Sequence, residues 1–331
     1  MNSGIRLLLP LVLFTMMGNA GCDSSDPQEA ADSIQHTLAD EPLPWTQQRT
    51  DYDPDAVRFA VFADITGGER DGVFATAIEQ LNLLRPELII NVGDLIEGSR
   101  DPFEINEQWD RFESSANSAH APIFYVGGNH DLLGDEMRRV WERRIGPRYY
   151  HFRYRDVLFL VLDTEDHAIE RIEELAELRD EMYRVAAESG WDAAGQTTYA
   201  NLPENETGAI SAAQADYMTE VLADHTDVTW TFLLMHKAPW AGPDMPAWRQ
   251  IEDALGKRPY TVFQGHRHAL KHTERNGRDY IRLATTGGVP LPGNGPTFDH
   301  VVWVTVDATG ADIALLQLSG ILDKTGNTPS P

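Results

Sequence analysis

Residues 123–131 read Ile-Phe-Tyr-Val-Gly-Gly-Asn-His-Asp: four large apolar residues, two glycines, then three side chains able to hold a metal or move a proton. An apolar run of this kind, rich in β-branched and aromatic residues, reads as a strand buried on both faces. The glycines allow a tight turn where the chain leaves the sheet. The same grammar recurs along the chain. Residues 58–63 run into Asp64, 88–93 into Asp94, 230–235 into His236, and 260–265 into His266-Arg267-His268. Five strands would each deliver an oxygen or imidazole ligand at a carboxyl end, the edge where open α/β sheets bind ligands.

Taken singly, each fragment has an ordinary reading. Gly-Asp is a turn, Asp after a strand caps a helix, and a lone histidine such as His236 is hydrogen-bonded in a core. Gly-Asn-His-Asp at 128–131 and Gly-His-x-His at 265–268 are more specific, and all five blocks in order point to a metal site.

Outward from these blocks, apolar runs alternate with helical patterns, the mark of an α/β domain. Strands are expected at 57–63, 88–92, 123–127, 149–154, 157–162, 229–235, 260–264, 279–284, 301–306 and 312–317. Val73, Phe74, Ala77, Ile78, Leu81 and Leu84 recur at helical spacing up to Pro86. A second helix, about 167–188, carries a stripe of Ile169, Ile172, Leu175, Leu178, Met182 and Val185 among Glu and Arg. With the polar stretch 189–209 and a further helix near 211–223, it reads as a helical insertion, 165–215, placed to overhang the site.

The chain has 331 residues, 42% apolar and 24% charged, a globular composition. Its 52 acids against 27 bases give a formal charge of −25, which repels phosphate backbones and argues against nucleic-acid polymers as partners. Only four of the bases are lysines: Lys237, Lys257, Lys271 and Lys324. The acidity itself reads as a solvated surface.

The single cysteine, Cys22, excludes an intramolecular disulfide framework. It follows Arg6, the eleven-residue apolar stretch Leu7–Met17, and Asn19-Ala20-Gly21. That order is a secretory signal, too short for a membrane span, which needs about 20 residues. Residues 1–21 also resemble a bacterial lipoprotein signal peptide, with Asn19 where leucine is usual. The resemblance implies cleavage before Cys22, lipidation there, and a lipid-anchored domain on the non-cytoplasmic, periplasmic side of the cell envelope. Residues 22–50 read as a flexible tether, 51–322 as the folded domain and 323–331 as a disordered tail.

The ordered blocks resemble the calcineurin-like metallophosphoesterase superfamily, whose signature is Asp-x-His, Gly-Asp, Gly-Asn-His-(Asp/Glu), a lone His, then Gly-His-x-His. The match spans roughly 57–285. It implies a four-layer α-β-β-α sandwich, two mixed β-sheets flanked by helices, with the metal site at the strand carboxyl edge. By position, Asp64, Asp94 and His268 would hold one divalent ion, and Asp94, Asn129, His236 and His266 a second, with Asp94 bridging. His130 matches the superfamily's catalytic histidine. The implied reaction is hydrolysis of phosphomonoesters or phosphodiesters by a metal-activated hydroxide, with Mn, Fe, Zn or Ni suiting the oxygen and nitrogen donors.

One position departs: Thr66 stands where the first block has histidine. A neutral hydroxyl is a poorer ligand, so the first ion is expected to be labile. Purple acid phosphatases also lack this histidine but place a tyrosine three residues after the bridging aspartate, where this chain has Glu97. Phosphoprotein phosphatases place at that offset an aspartate that orients the catalytic histidine, a role open to Glu97. Lys237 and Arg267 are candidates for a substrate-facing cation, and Asp131 and Asp163 for supporting the ligands. The substrate would be a phosphorylated small molecule or lipid, selected by segments 97–120, 165–215 and 286–299. A catalytically weakened metal-binding sensor and an envelope scaffold are the alternatives.

Overall fold

The computed structural model describes residue 46 and residues 53–329 except 243, 244, 292 and 294. The expected signal peptide, Cys22 and all of the tether but Thr46 lie outside the described residues. The chain divides after Pro54, and the fold below is that of Asp55–Pro331. Among the described residues no helix is long and apolar enough to cross a membrane.

The strands are β1 (Val57–Phe62), β2 (Leu88–Asn91), β3 (Ile123–Phe124), β4 (Tyr150–Tyr154), β5 (Val157–Val161), β6 (Trp230–Leu234), β7 (Tyr260–Gln264), β8 (Lys271–Arg275), β9 (Arg278–Arg282), β10 (His300–Asp307) and β11 (Gly310–Gln317). They form two sheets, ordered β11-β10-β1-β2-β3 and β4-β5-β6-β7-β9-β8. Both are mixed. In the first, β1, β2 and β3 are parallel and β10 runs against β1. In the second, β5, β6, β7 and β9 are parallel while β4 and β8 run antiparallel at the edges.

Period-two alternation explains the layering, because each central strand is apolar on both faces. Phe59 and Val61 of β1 point between the sheets, where they meet Val157, Phe159 and Val161 of β5 and Phe232 of β6. The Phe59 ring stands edge-on to Phe159 and Phe232, at 5.2 and 5.0 Å between centroids. Ala60 and Phe62 face outward, under α1 (Val73–Leu84), α2 (Pro102–Ala116) and α3 (Asp135–Arg144), which bring Ile78, Trp109 and Trp141. On the far side Leu158, Leu160, Leu233 and Val262 are covered by α5 (Ala212–Asp224) and α6 (Pro246–Leu255). The result is the α-β-β-α sandwich of two mixed sheets. A satellite cluster joins Leu133 to Ile172, Leu175 and Ala176 of α4 (Ile169–Ser189) and to Tyr199.

Three differences from the sequence reading have physical causes. Edge strand β8, Lys-His-Thr-Glu-Arg, is mostly exposed and shows no apolar run. Most of the segment 97–120, expected as a specificity loop, is α2: Asp101 caps it by accepting from Phe103 N (2.9 Å), Pro102 opens it, and Ile105, Trp109, Phe112 and Ala116 bury one face. The tail, expected without structure, begins with a turn in which the Asp323 carboxylate accepts from the backbone N–H of Thr325 at 2.7 Å and Asn327 at 3.2 Å.

Candidate metal centre

The parallel strands of both sheets send their carboxyl ends to one edge. There the loop after β1 is pinned to the loop after β2, with Asp64 N donating to Gly93 O and Ile65 N to Asp94 O, each at 3.1 Å. His236, on the loop after β6, crosses between sheets, its Nδ1 2.9 Å from Val92 O. Two groups of donor atoms result, each lying within 4.8 Å: Asp64, Asp94 and His268, and Asp94, His236 and His266. Asp94 is common to both. His236 Nε2 stands 3.0 Å from Asp94 Oδ2, and His268 Nε2 3.4 Å from Asp64 Oδ1.

This edge is built at a cost. Asp64, Asp94, His266 and His268 all adopt left-handed backbone, with φ of 52°, 60°, 80° and 46°. Such conformations cost side-chain-bearing residues of order 1–3 kcal/mol each and cluster where function requires them. Two glycines show how closely the chain approaches the carboxylates. A Cβ on Gly128 would lie 2.2 Å from Asp94 Oδ1, and one on Gly265 2.4 Å from Asp64 Oδ2.

Two buried acceptor atoms here have no hydrogen-bond partner, Asp64 Oδ2 and Asn129 Oδ1, and His236 Nε2 has only the Asp94 carboxylate beside it. Buried polar atoms are ordinarily satisfied, so the unpartnered oxygens of Asp64 and Asn129 are what cations would complete. All the donors are oxygen or nitrogen, which suits two divalent ions. Protonation tells the same story. Burial pushes the Asp94 carboxyl up, but His236 and His130 outweigh it and hold it well below the usual carboxylate range. Burial pulls His236 down, but the Asp94 carboxylate raises it to about 9. His266 is lowered well below the usual imidazole range by burial, Lys237 and His236. A proton held on His236 by Asp94 occupies the place of a cation, so ion and proton compete for it.

His130 is the second residue of the one-turn helix Asn129–Leu132. Its backbone N–H donates to Asp94 Oδ1 at 2.9 Å, and its Nδ1 lies 2.9 Å from Glu97 O. A carbonyl can only accept, so Nδ1 carries hydrogen and Nε2 is the free nitrogen. The Glu97 carboxylate is occupied elsewhere: Oε1 accepts from Gly68 and Glu69 N–H at 2.7 Å each, and Oε2 is 3.7 Å from His130 Nδ1. Glu97 therefore orients His130 through its carbonyl and ties down the loop after Thr66, which is itself fully buried. Asp131 is a clamp. Its two oxygens accept from Asp94 N (2.9 Å), Leu95 N (2.8 Å), Ile96 N (3.1 Å) and Gly128 N (2.8 Å), fixing both ligand loops.

The expected substrate-facing cations need correction. Lys237 is buried, with Nζ 2.8 Å from Glu165 Oε1 and donating to Glu204 O at 2.9 Å. A buried ammonium needs such an acid, so Lys237 braces the insertion rather than awaiting a phosphate. Asp163 supports that brace: Oδ1 accepts from Glu165 N at 2.8 Å and Oδ2 lies 3.0 Å from Arg148 Nη1. Burial, only partly offset by Arg148, pushes its carboxyl up to about 7. Arg267 lines the site but pairs with Glu206.

The cation that sequence reasoning missed is Arg179 on α4. It is 5% exposed, donates from Nη1 to Asn129 O at 3.0 Å, and has no acidic partner among the described residues. Its Nε is unpartnered. The signal is present in the spacing, since 179 continues the buried face 172, 175 and 176, but its charge hides it among the Glu and Arg around the stripe. Tyr183, one turn further, places its hydroxyl 3.5 Å from His130 Nε2. Arg179, Tyr183, His130, Asp94, Asn129, His266, His268 and Arg267 share one cavity of about 730 Å³.

The sequence matches the family model "Calcineurin-like phosphoesterase" over residues 57–302. The chain belongs to this family. Among solved structures, this phosphoesterase-family chain is similar to a dimetal phosphatase from Danio rerio, at 15% identity and a TM-score of 0.53, covering 79% of this chain and 98% of that one. It is also similar to the purple acid phosphatase PPD1 of yellow lupin (Lupinus luteus), at 14% identity and a TM-score of 0.53, covering 83% of this chain and 54% of that one. At such identities the likeness concerns the fold. No curated protein matches the chain.

Proposed function

We propose that this calcineurin-like phosphoesterase family member hydrolyses phosphate esters with two divalent ions, and that a lipid on Cys22 holds it on the periplasmic side of a bacterial envelope. The observation that carries the catalytic reading is the pair of donor groups, Asp64, Asp94 and His268 and Asp94, His236 and His266, whose members Asp94, His266 and His268 line a cavity that also receives Asn129, His130 and an unpaired Arg179. Asp64, Asp94 and His268 would hold one ion and Asp94, Asn129, His236 and His266 the other. When bound, two such ions neutralise phosphoryl oxygens and lower the pKa of water, which makes a nucleophile available at neutral pH.

The chain's own residues do the rest. Glu97 O fixes Nδ1–H of His130, so a proton on Nε2 is aimed into the cavity, where it can pass to the departing oxygen of the ester. Arg179 offers a fixed guanidinium to a phosphoryl oxygen, and being already oriented by Asn129 O it needs no reorganisation as charge develops. Asp131 holds the loops of Asp94 and Asn129 in register, so the donors keep their spacing. The lipid anchor rests on the order of residues 6–22.

A panel of aryl and bis-aryl phosphates, assayed after chelation and after re-addition of Mn, Ni or Zn, tests the catalytic reading. Metal-dependent release of phenol supports it, and undiminished activity in fully stripped protein overturns it. Thr66 gives one specific reason to retain the weakened sensor: stoichiometric metal binding without turnover of any ester would decide for that reading.

A further inference from the structure

The wall of the site cavity that α4 and the following turn supply is apolar and aromatic, and nothing in the hydrolysis of phosphate itself requires it. Met182, Tyr183, Trp191 and Tyr199 line it, together with Val289 and Leu291. Trp191 is 66% exposed, and Tyr183, Val289 and Leu291 are each more than a third exposed. Trp191 stands edge-on to Tyr183, with centroids 5.9 Å apart and planes at 84°. Exposed aromatic and aliphatic side chains converging on one concave site are held out of a core and await an apolar occupant. Resting on the proposed hydrolase function, we infer that this slot is a leaving-group subsite for an uncharged alcohol carrying an aromatic ring.

Three observations fix the occupant. The position of His130 says which half of the ester enters: its free Nε2 faces Tyr183, with the phenol oxygen 3.5 Å away, so the proton donor stands at the inner end of the aromatic wall. The group that leans on Tyr183 and Trp191 is therefore the one whose oxygen receives that proton. In the step, water adds its oxygen to phosphorus and gives up a proton to solvent, the P–O bond to the alcohol breaks, the alkoxide takes the proton on His130 Nε2 to leave as a neutral alcohol, and the ring regains a proton from solvent. The charges say what the alcohol lacks. Of the two cations lining the cavity among the described residues, Arg267 is paired with Glu206, and only Arg179 is without an acid. A second phosphate or carboxylate on the leaving group would find no free partner, in a protein of formal charge −25. The shape says it is flat, because the slot is walled by three aromatic rings, which favour stacked or edge-on ring partners.

The test separates ring recognition from chemical reactivity. 2-(2-Naphthyl)ethyl phosphate and propyl phosphate release alcohols of similar acidity, so a difference in kcat/KM reports the subsite. With manganese-loaded protein the naphthyl ester should be favoured roughly tenfold or more, the scale on which an apolar pocket discriminates. Trp191→Ala should erase most of that ratio and Trp191→Phe restore part of it. A binding arm stands apart from turnover: calorimetry should show 2-naphthylmethylphosphonate binding tighter than propylphosphonate, with the gap reduced in Trp191→Ala. Equal affinities and equal kcat/KM for the pair would overturn the inference, and so would decylphosphonate binding more tightly than the naphthyl compound. If no ester is turned over but the naphthyl preference in binding depends on Trp191, the subsite stands and the hydrolase reading falls.

Discussion

His130 and Asp94 are linked by one hydrogen bond, yet their substitutions should fail in different ways. His130 offers the cavity a nitrogen that belongs to neither donor group, whereas Asp94 belongs to both. His130→Gln should keep its metal and lose about 10²–10⁴ in kcat, the usual value of a positioned acid. Asp94→Asn should lose metal and activity together. Metal analysis beside steady-state kinetics checks both, and equal metal loss in the two variants would show His130 to be a ligand. A residue far from chemistry tests burial in the same way. His300 opens β10 fully buried, with Nε2 unpartnered, and burial lowers its pKa from 6.5 to about 4. The folded chain refuses a proton that the unfolded chain accepts below pH 6.5, so stability falls as pH drops from about 6.5 to 4 and the effect levels off below. At about 1.4 kcal/mol per pKa unit, wild type should lose up to about 3 kcal/mol more than His300→Gln between pH 7.5 and 4. Urea unfolding at both pH values measures it, and an unchanged gap would mean the folded ring is hydrated or charged. Single residues were legible in the sequence where a strand end announced them, as with Asp64, Asp94, Asn129 and His236. Arg179 was not, because a buried arginine differs from a solvated one only by the face of the helix it occupies.

The ligands are carried by loops, and loops differ in what they contribute. Those after β6 and β7 bring His236 and His266, and with Asp94 and the Asn129 amide they make four donors. The loop after β1 brings Asp64 and, where a second imidazole is usual in the family resemblance, Thr66. Glu97 does not supply the missing ligand through Oε1, which is held by Gly68 and Glu69 N–H. The second group should therefore fill first and hold its ion more tightly, while the first, with Asp64, Asp94 and His268, empties on dialysis. Calorimetric titration of stripped protein with manganese should resolve two phases, and two equally tight ions would show that another group compensates for Thr66. Strand-borne loops were easy to read because β1, β2, β6 and β7 are apolar on both faces and end sharply. Strand β8 and helices α2, α3 and α6 were harder. An exposed edge strand carries no apolar run, and an amphipathic helix between motifs resembles a loop when its apolar residues are sparse, as in α3 with Met137, Val140 and Trp141 among charges.

For the whole molecule the strongest physical fact is its charge, 52 acids against 27 bases. Anionic membrane surfaces attract basic segments and repel a body of this sign. Attachment of this domain to a membrane, if it rests on Cys22, must then come wholly from covalent lipid, with no help from its surface. One acyl chain gives only marginal binding, whereas the several chains of a bacterial lipoprotein hold firmly. The prediction is correspondingly sharp. In a bacterial host, the wild-type chain should incorporate labelled palmitate and sediment with membranes at every salt concentration. Cys22→Ser should take up no label, and any cleaved form should be entirely soluble even at low ionic strength, where an electrostatic contact would be strongest. A Cys22→Ser chain whose signal is cleaved but which still sediments, and leaves the membrane as salt is raised, would place the attachment on the protein surface instead. Wild type that carries no label and stays in the soluble fraction would reduce residues 1–21 to a plain secretory signal.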